Sequence, residues 1–488
     1  MKRIHISRMV GIGLILFFVF LLTVRLGVFE EKDGKRVDLE FLSQVSADHE
    51  TWMVIFQKDQ RVGHVRRQFS RIGKGYRLIE TVFMRINTMG MVQDIRYRLI
   101  GEMDQNLLLS TFDFELQSNL FRFQVRGGLQ GKTLLLYSGP TGSEEKFEIP
   151  VPEEIFLPAG VLASLANKEL KKGDLLTFHV FDPITMAQRE MRVKIISEET
   201  LWVMGREERA KKVSVDFMGI PQTAWIGMDG TLFKEEGAFG LRLERTTQQD
   251  ALKEVEFSSI PDMIEGASLS VPQPLPNPHE LKELKIKLEG VRPEGLWLDG
   301  GRQSFKNNIL MVRKESIAHL SAQQKRDFEG QWRRYLEATP FIQSNHPEIH
   351  ARAKEIVSEG DSDGVKATKL LKWVYQNIQK RPVLSVPNAL ETLRNRVGDC
   401  NEHAVLLAAL ARAVGIPAEI EAGLVYQKGK FYYHAWNSLF LGEWITADAA
   451  MGQFPADVTH LRFVRGTEQQ IDLMRIVGKV RLEVLSAS

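Results

Sequence analysis

The spacing of apolar and polar positions changes along the chain, and each change marks a segment. Met9 to Val24 is an apolar run in which Thr23 is the only polar residue; Arg25 interrupts it and Leu26 to Phe29 resume it. Residues 30–50 are polar and charged. From Trp52 to about Gln248, apolar and polar residues alternate in short segments, among them Trp52–Phe56, Tyr76–Phe83, Leu107–Leu116 and Phe121–Val125. Period-two alternation between turn residues predicts antiparallel strands. Lys171–Asp174 and Met228–Thr231 carry hairpin-turn residues. Many strands in series predict an open or half-closed sheet rather than βαβ units. Pro272, Pro274, Pro276 and Pro278 then favour a stiff, extended linker, followed by a strand candidate at Leu284–Leu288.

The pattern turns helical from about His346 to Gln379. Pro347 suits a first helical position, and Leu370, Leu371, Val374, Tyr375 and Ile378 recur at helical spacing. Cys400 to Val414 is apolar nearly all round, which predicts a buried helix. Asp399 is placed to cap it, with Glu402 as its capping-box partner, and Gly415 and Pro417 end it. Phe431–Phe440 and Trp444–Asp448 read as two strands about a turn near Leu441–Glu443.

The first residues bear on the compartment. Lys2, Arg3 and Arg8 precede the apolar run, which predicts a cytoplasmic N-terminus and an exported remainder. A spanning helix needs about 20 residues, and Arg25 can snorkel so that Leu26 to Phe29 complete the span. No small-residue cleavage site follows, so the expectation is an uncleaved anchor rather than a signal peptide. The expected organisation is a cytoplasmic segment 1–8, a transmembrane anchor 9–29, a stalk 30–50, a β-rich antiparallel accessory domain 51–265, a linker and mixed connecting segment 266–344, a catalytic domain 345–470 and a C-terminal segment 471–488. The expected fold class is α+β.

Charge narrows the partners. Lys and Arg total 64 against 62 Asp and Glu, so the net charge is only +2, and nucleic acid is not the expected partner. Cys400 is the only cysteine, which excludes an intramolecular disulfide and any zinc site needing two thiolates. A lone cysteine in an apolar helix is by itself ordinary packing. Here it falls in the first turn, where the helix dipole and free N–H groups favour a thiolate while the neighbouring carboxylates oppose it. A partner base is therefore required. His434 and Asp448 are symmetric about position 441, so a hairpin closed there sets them opposite each other or one diagonal apart. An aspartate beside the imidazole fixes its tautomer and stabilises the imidazolium. Cys400, His434 and Asp448 thus supply nucleophile, base and orienter in order.

Gly398-Asp399-Cys400-Asn401-Glu402-His403-Ala404, Ala413-Val414-Gly415-Ile416-Pro417-Ala418, His434-Ala435-Trp436 and Trp444-Ile445-Thr446-Ala447-Asp448 together resemble the core of the transglutaminase-like superfamily. The resemblance covers roughly residues 345 to 470. It implies a papain-like fold, Cys400 as nucleophile, His434 as general base and acid, Asp448 as orienter, and a thioester intermediate. It also implies a bacterial envelope protein, held in the inner membrane with most of the chain outside the cytoplasm. One departure is Ala449, where many relatives have proline after the aspartate. The expected function is action on amide bonds of a peptide or protein substrate, with hydrolysis favoured over crosslinking because water is abundant and no amine site is evident. No cofactor or metal is expected; envelope protein partners would be compatible. The competing reading is a catalytically silent scaffold that uses its β-rich region to bind.

Other features carry plainer expectations. His403 reads as structural, and Trp436, Trp444, Trp373 and Tyr375 as core. Asn388 and Gln376 are candidates for a second oxyanion donor. His346 and His350 stand four apart but lack a third ligand. Asp361–Gly364 lacks the remaining ligands of a calcium loop and reads as a turn before a helix. Arg61 to Arg77 holds six Lys or Arg and no acid, and reads as a solvated strand face.

Overall fold

The computed structural model describes residues 35–36 and 49–488, apart from 89–90, 120, 140–141, 143, 152–153, 166–169, 238–239, 256–267, 292, 318–332, 384–385, 467–472 and 474–475. The expected cytoplasmic segment 1–8, the anchor 9–29 and most of the stalk lie outside the described residues. Among the described residues, no helix is long and apolar enough to cross a membrane.

The α+β expectation is corrected: strand outweighs helix by 51% to 16%, so the fold is mostly β. The alternation from Trp52 onward is realised as a single sheet of fifteen strands among the described residues. Fourteen of them form two meanders, and the fifteenth, Lys35–Arg36, pairs parallel with Leu175–Asp182. One meander runs from His49–Gln57 to Glu145–Pro150; the other runs from Leu175–Asp182 to Leu241–Thr246. They join where Leu241–Thr246 pairs antiparallel with His49–Gln57. Phe156 bridges both Leu108 and Val180, and a short helix, Pro158–Ser164, packs Val161 and Ala163 into the core between the meanders. Lys171–Asp174 leads into the strand Leu175–Asp182 instead of closing a hairpin, whereas Met228–Thr231 does connect two strands. The basic run from Arg61 is partnered, with Arg66, Arg67 and Arg77 ion-paired to Glu50, Glu80 and Glu102.

A second body carries the sequence blocks around Cys400. The cysteine helix, Cys400–Ala413, is buried along almost its whole length. Helices Pro347–Ile356, Asp363–Asn377 and Ala389–Asn395 pack Ile349, Leu370, Val374 and Leu393 against it. Strands Leu269–Ser270, Lys430–Phe440, Ala418–Gln427 and Leu461–Arg465 lie side by side in that order, and Trp444–Ala447 pairs with the histidine strand Lys430–Phe440. A further sheet joins Glu283–Glu289 to Ile309–Arg313 and to Arg481–Ala487. Its Leu284, Ile286 and Val312 share one core with Leu424, Phe431 and Phe463, and Cys400 packs against that core. Phe341 and Val386 pack with Phe112 and Phe114 of the large sheet, and the Gln93 side chain donates to the Pro382 carbonyl at 3.0 Å.

Gly423 stands opposite His434 in the register of the two central strands. A Cβ at Gly423 would lie 1.9 Å from the Leu461 carbonyl oxygen, which is backbone and cannot swing aside. Gly423→Ala is therefore expected to force the strand Leu461–Arg465 away and to cost about 3 kcal/mol. A denaturant midpoint unchanged from wild type would refute this.

Candidate active site

Asp399 caps the cysteine helix. Its Oδ1 accepts from the Asn401 N–H at 2.9 Å, and Glu402 Oε2 accepts in return from the Asp399 N–H at 2.9 Å. Gly398 makes that return possible, because a Cβ there would lie 2.2 Å from the Glu402 Cβ. The cap fixes Cys400 as the first helical residue, part-exposed, with its backbone N–H among the first-turn donors that have no intrahelical acceptor. Burial pushes the Cys400 thiol well up, and the charges of Asp399, Glu402 and Asp448 push it the same way; the Ala435 N–H opposes them. Left to itself this sulfur stays protonated.

His434 and Asp448 meet. His434 Nε2 lies 2.7 Å from Asp448 Oδ2, and Asp448 is fully buried. The pairing Asn437↔Ala447 and Phe440↔Trp444 sets Asp448 across from Trp436, so His434 and Asp448 are one diagonal apart. The Met451 N–H donates to Asp448 Oδ1 at 2.8 Å and holds the carboxylate from its other side. Burial acts against the charged form of Asp448, but His434 and His460 outweigh it and hold the carboxyl well below its usual range. Cys400 is brought to the same strand through the Ala435 N–H; among the described residues no hydrogen bond joins its thiol to the imidazole.

His460 is the residue sequence reasoning missed. It is fully buried, and its Nε2 lies 3.0 Å from the same Asp448 Oδ2. Trp436 orders both imidazoles: His434 stacks on it at 6.1 Å between ring centroids, and His460 meets it at 5.2 Å and 89°. Its own indole N–H donates to Glu421 at 3.1 Å, and Arg462 joins Glu421 to the carbonyls of Trp297, Asp299 and Gly300. The loop bearing His460 is fastened by Arg302, which donates to the Ala456, Asp457 and His460 carbonyls at 2.7, 3.0 and 3.1 Å. No motif announces His460, Arg302 or Arg462; the sequence signal covers the blocks around Cys400, His434-Ala435-Trp436 and Asp448.

Several expectations shift. Asn388 caps the helix Ala389–Asn395, its Oδ1 accepting from the Glu391 N–H at 3.1 Å, so it serves the backbone. Gln376 is exposed. Tyr375, expected in the core, is 42% exposed, whereas Trp436 is buried at 1%. His403 is buried and its Nδ1 lies 2.6 Å from the Asp399 carbonyl oxygen, a structural role. His346 caps the helix Pro347–Ile356 by accepting from the Glu348 N–H. Asp361 accepts from the Ser358 N–H, and Ser362 caps the next helix. The ligand-type atoms of His434, Asp448 and His460 lie within 4.8 Å of one another. Hydrogen bonds of 2.7 and 3.0 Å onto one carboxylate oxygen account for that grouping.

The model of the transglutaminase-like superfamily matches residues 350–449. No curated protein matches the chain. Among solved structures, a β-barrel-like protein of a domain of unknown function from Brucella abortus is similar at 11% identity and TM-score 0.35, over 42% of this chain and 98% of that one. A proposed cysteine protease from Cytophaga hutchinsonii is similar at 16% identity and TM-score 0.27, over 46% of this chain and 85% of that one. A proposed protease from Parabacteroides distasonis is similar at 11% identity and TM-score 0.20, over 62% of this chain and 67% of that one. Residues 350–449 are a domain of the transglutaminase-like superfamily.

Proposed function

We propose that this domain is a thiol enzyme acting on amide bonds of a peptide or protein, with Cys400 as nucleophile, His434 as base and acid, and Asp448 as orienter. The observation that carries the reading is the 2.7 Å hydrogen bond from His434 to a buried, ionised Asp448, on the strand whose next N–H faces the Cys400 sulfur. Because Nε2 of His434 is engaged by Asp448, Nδ1 is the nitrogen that takes the thiol proton. Burial and Asp399 favour the proton on sulfur, so ionisation is coupled to the side-chain rotation in the free enzyme that brings Nδ1 to the thiol.

In the reaction the thiolate bonds to the amide carbon, and the oxyanion is met by the Cys400 N–H at the helix start. The C–N bond then breaks, and the imidazolium gives its proton to the leaving amine. Water, deprotonated by His434, attacks the thioester and releases the acid and the thiol. An amine in place of water gives transfer; hydrolysis is favoured because, among the described residues, no amine-binding group stands beside the triad.

The test is covalent capture. The full chain, incubated with a peptidyl electrophile and digested, is expected to carry the adduct on Cys400 by mass spectrometry, at least tenfold faster than a simple exposed thiol reacts. The upward push on the thiol gives a silent scaffold its one point of support. Labelling no faster than a free cysteine, with no acyl adduct from peptide substrates, would establish that scaffold instead.

A further inference from the structure

His460 is not needed by a three-residue mechanism, yet it is the most enclosed titratable group beside it. Its Nε2 lies 3.0 Å from Asp448 Oδ2 and its Nδ1 3.3 Å from Asp457 Oδ1. An ionised carboxylate only accepts hydrogen bonds, and a neutral imidazole has a single N–H to donate. Asp457 already accepts at Oδ1 from the N–H and hydroxyl of Thr459, at 2.9 and 2.6 Å, as an ionised carboxylate does. Both ring nitrogens of His460 therefore carry protons, and the residue is an imidazolium locked between two anions.

The remaining charged groups around it fit this state. His434 lies 6.2 Å away ring to ring, on the far side of the shared Asp448 oxygen. Arg302 donates to the His460 carbonyl and is offset by Glu315. Glu421 and Arg462 pair with each other behind the Trp436 ring. His279, largely exposed, reaches the outer oxygen of Asp457 at 2.9 Å. Burial works against a charged His460, but the hydrogen bonds and charges of Asp448 and Asp457 prevail and shift it upward.

We propose that His460 is a positioning residue for the Cys400 chemistry: an internal cation, anchored on Asp457, that orients the Asp448 carboxylate and shares its negative charge with His434. The inference rests on the thiol-enzyme reading above. Sharing matters because an undivided Asp448 would hold the His434 proton too tightly for delivery to the leaving amine. With both imidazoles donating to one oxygen, His434 keeps its tautomer while the attraction on its proton is reduced.

The test is the rate of Cys400 alkylation by iodoacetamide against pH, on the full chain, with thermal unfolding recorded alongside. Wild type is expected to show, besides the thiol limb, a second limb where the His434 imidazolium loses its proton. His460→Gln keeps a hydrogen bond but no charge, and should move that second limb up by about one pH unit or more. Asp457→Asn touches neither Asp448 nor His434; withdrawing one of the two anions that keep His460 protonated, it should leave His460 neutral over the range of that limb and move the limb the same way by less. If His460→Gln does not fold, Asp457→Asn decides alone. A lowered melting temperature with the second limb unmoved in the folded variants overturns the inference and leaves the triad standing. A wild-type profile with no imidazolium limb at all overturns the thiol-enzyme reading, and the inference falls with it.

Discussion

Cys400→Ala is expected to abolish covalent capture and all turnover while the protein still folds. Alanine suits a helix, and the lost sulfur is small and part-exposed, so the helix Cys400–Ala413 keeps its cap and its buried face. His434→Ala tests the pairing itself. Without the imidazole nothing receives the thiol proton, while burial and the carboxylates of Asp399, Glu402 and Asp448 still favour the protonated form. The thiol should then titrate at or above its free value of about 8.5, and alkylation at neutral pH should slow by about tenfold or more and recover as the pH rises. Equal alkylation profiles for wild type and His434→Ala would mean that the two side chains never meet.

Asp448→Ala should be the most destabilising change in the site. From sequence an orienter at the end of a strand looks replaceable, because it exchanges no proton. The structure shows a fully buried carboxylate that receives two imidazoles on Oδ2 and a backbone N–H on Oδ1. Its removal leaves buried charge unpartnered and should cost about 3–5 kcal/mol, a fall in melting temperature of about 10 °C. Asp448→Asn keeps the volume, so it should fold better yet lose turnover by about 10³-fold or more, since an amide supports the wrong imidazole tautomer. The sign of the pH dependence follows from the depressed carboxyl. The stabilisation by Asp448 is complete above its unfolded value of about 3.9 and is lost as the pH falls toward the folded value. The melting gap between wild type and Asp448→Ala should therefore narrow below about pH 4; a gap that stays constant would show that the carboxylate is not what is missing.

What could be read in the sequence was local. The cap Asp399, the helix after it, the strand bearing His434 and the strand Trp444–Ala447 that ends just before Asp448 are each written in a few adjacent residues, and all formed. His460 could not be read, because its meaning comes from a loop folded against Asp448 and pinned by Arg302, more than 150 residues earlier. Asn388 shows a related limit: a polar side chain before a helix caps far more often than it catalyses, and its hydrogen bond from the Glu391 N–H to Oδ1 is visible only in the fold. The α+β expectation gave helix too much weight against strand, 16% to 51%. Pairing was not legible either: Leu284–Leu288 was a strand candidate and forms within Glu283–Glu289, but its neighbour Arg481–Ala487 lies at the other end of the body, and alternation says nothing about which strand lies beside which.

That last pairing sets a schedule for synthesis. A chain lengthening by about 5–20 residues per second leaves Glu283–Glu289 waiting on the order of ten to forty seconds for the residues near 485. During that interval one of its edges is open, with Leu284, Ile286 and Leu288 uncovered on one face. Lys285 and Lys287 alternate with them and make that edge a poor template for a neighbouring nascent chain. The Cys400 thiol leaves the ribosome before its backing sheet is complete, so a newly made chain passes through a stage in which the thiol exists but the wall behind it does not.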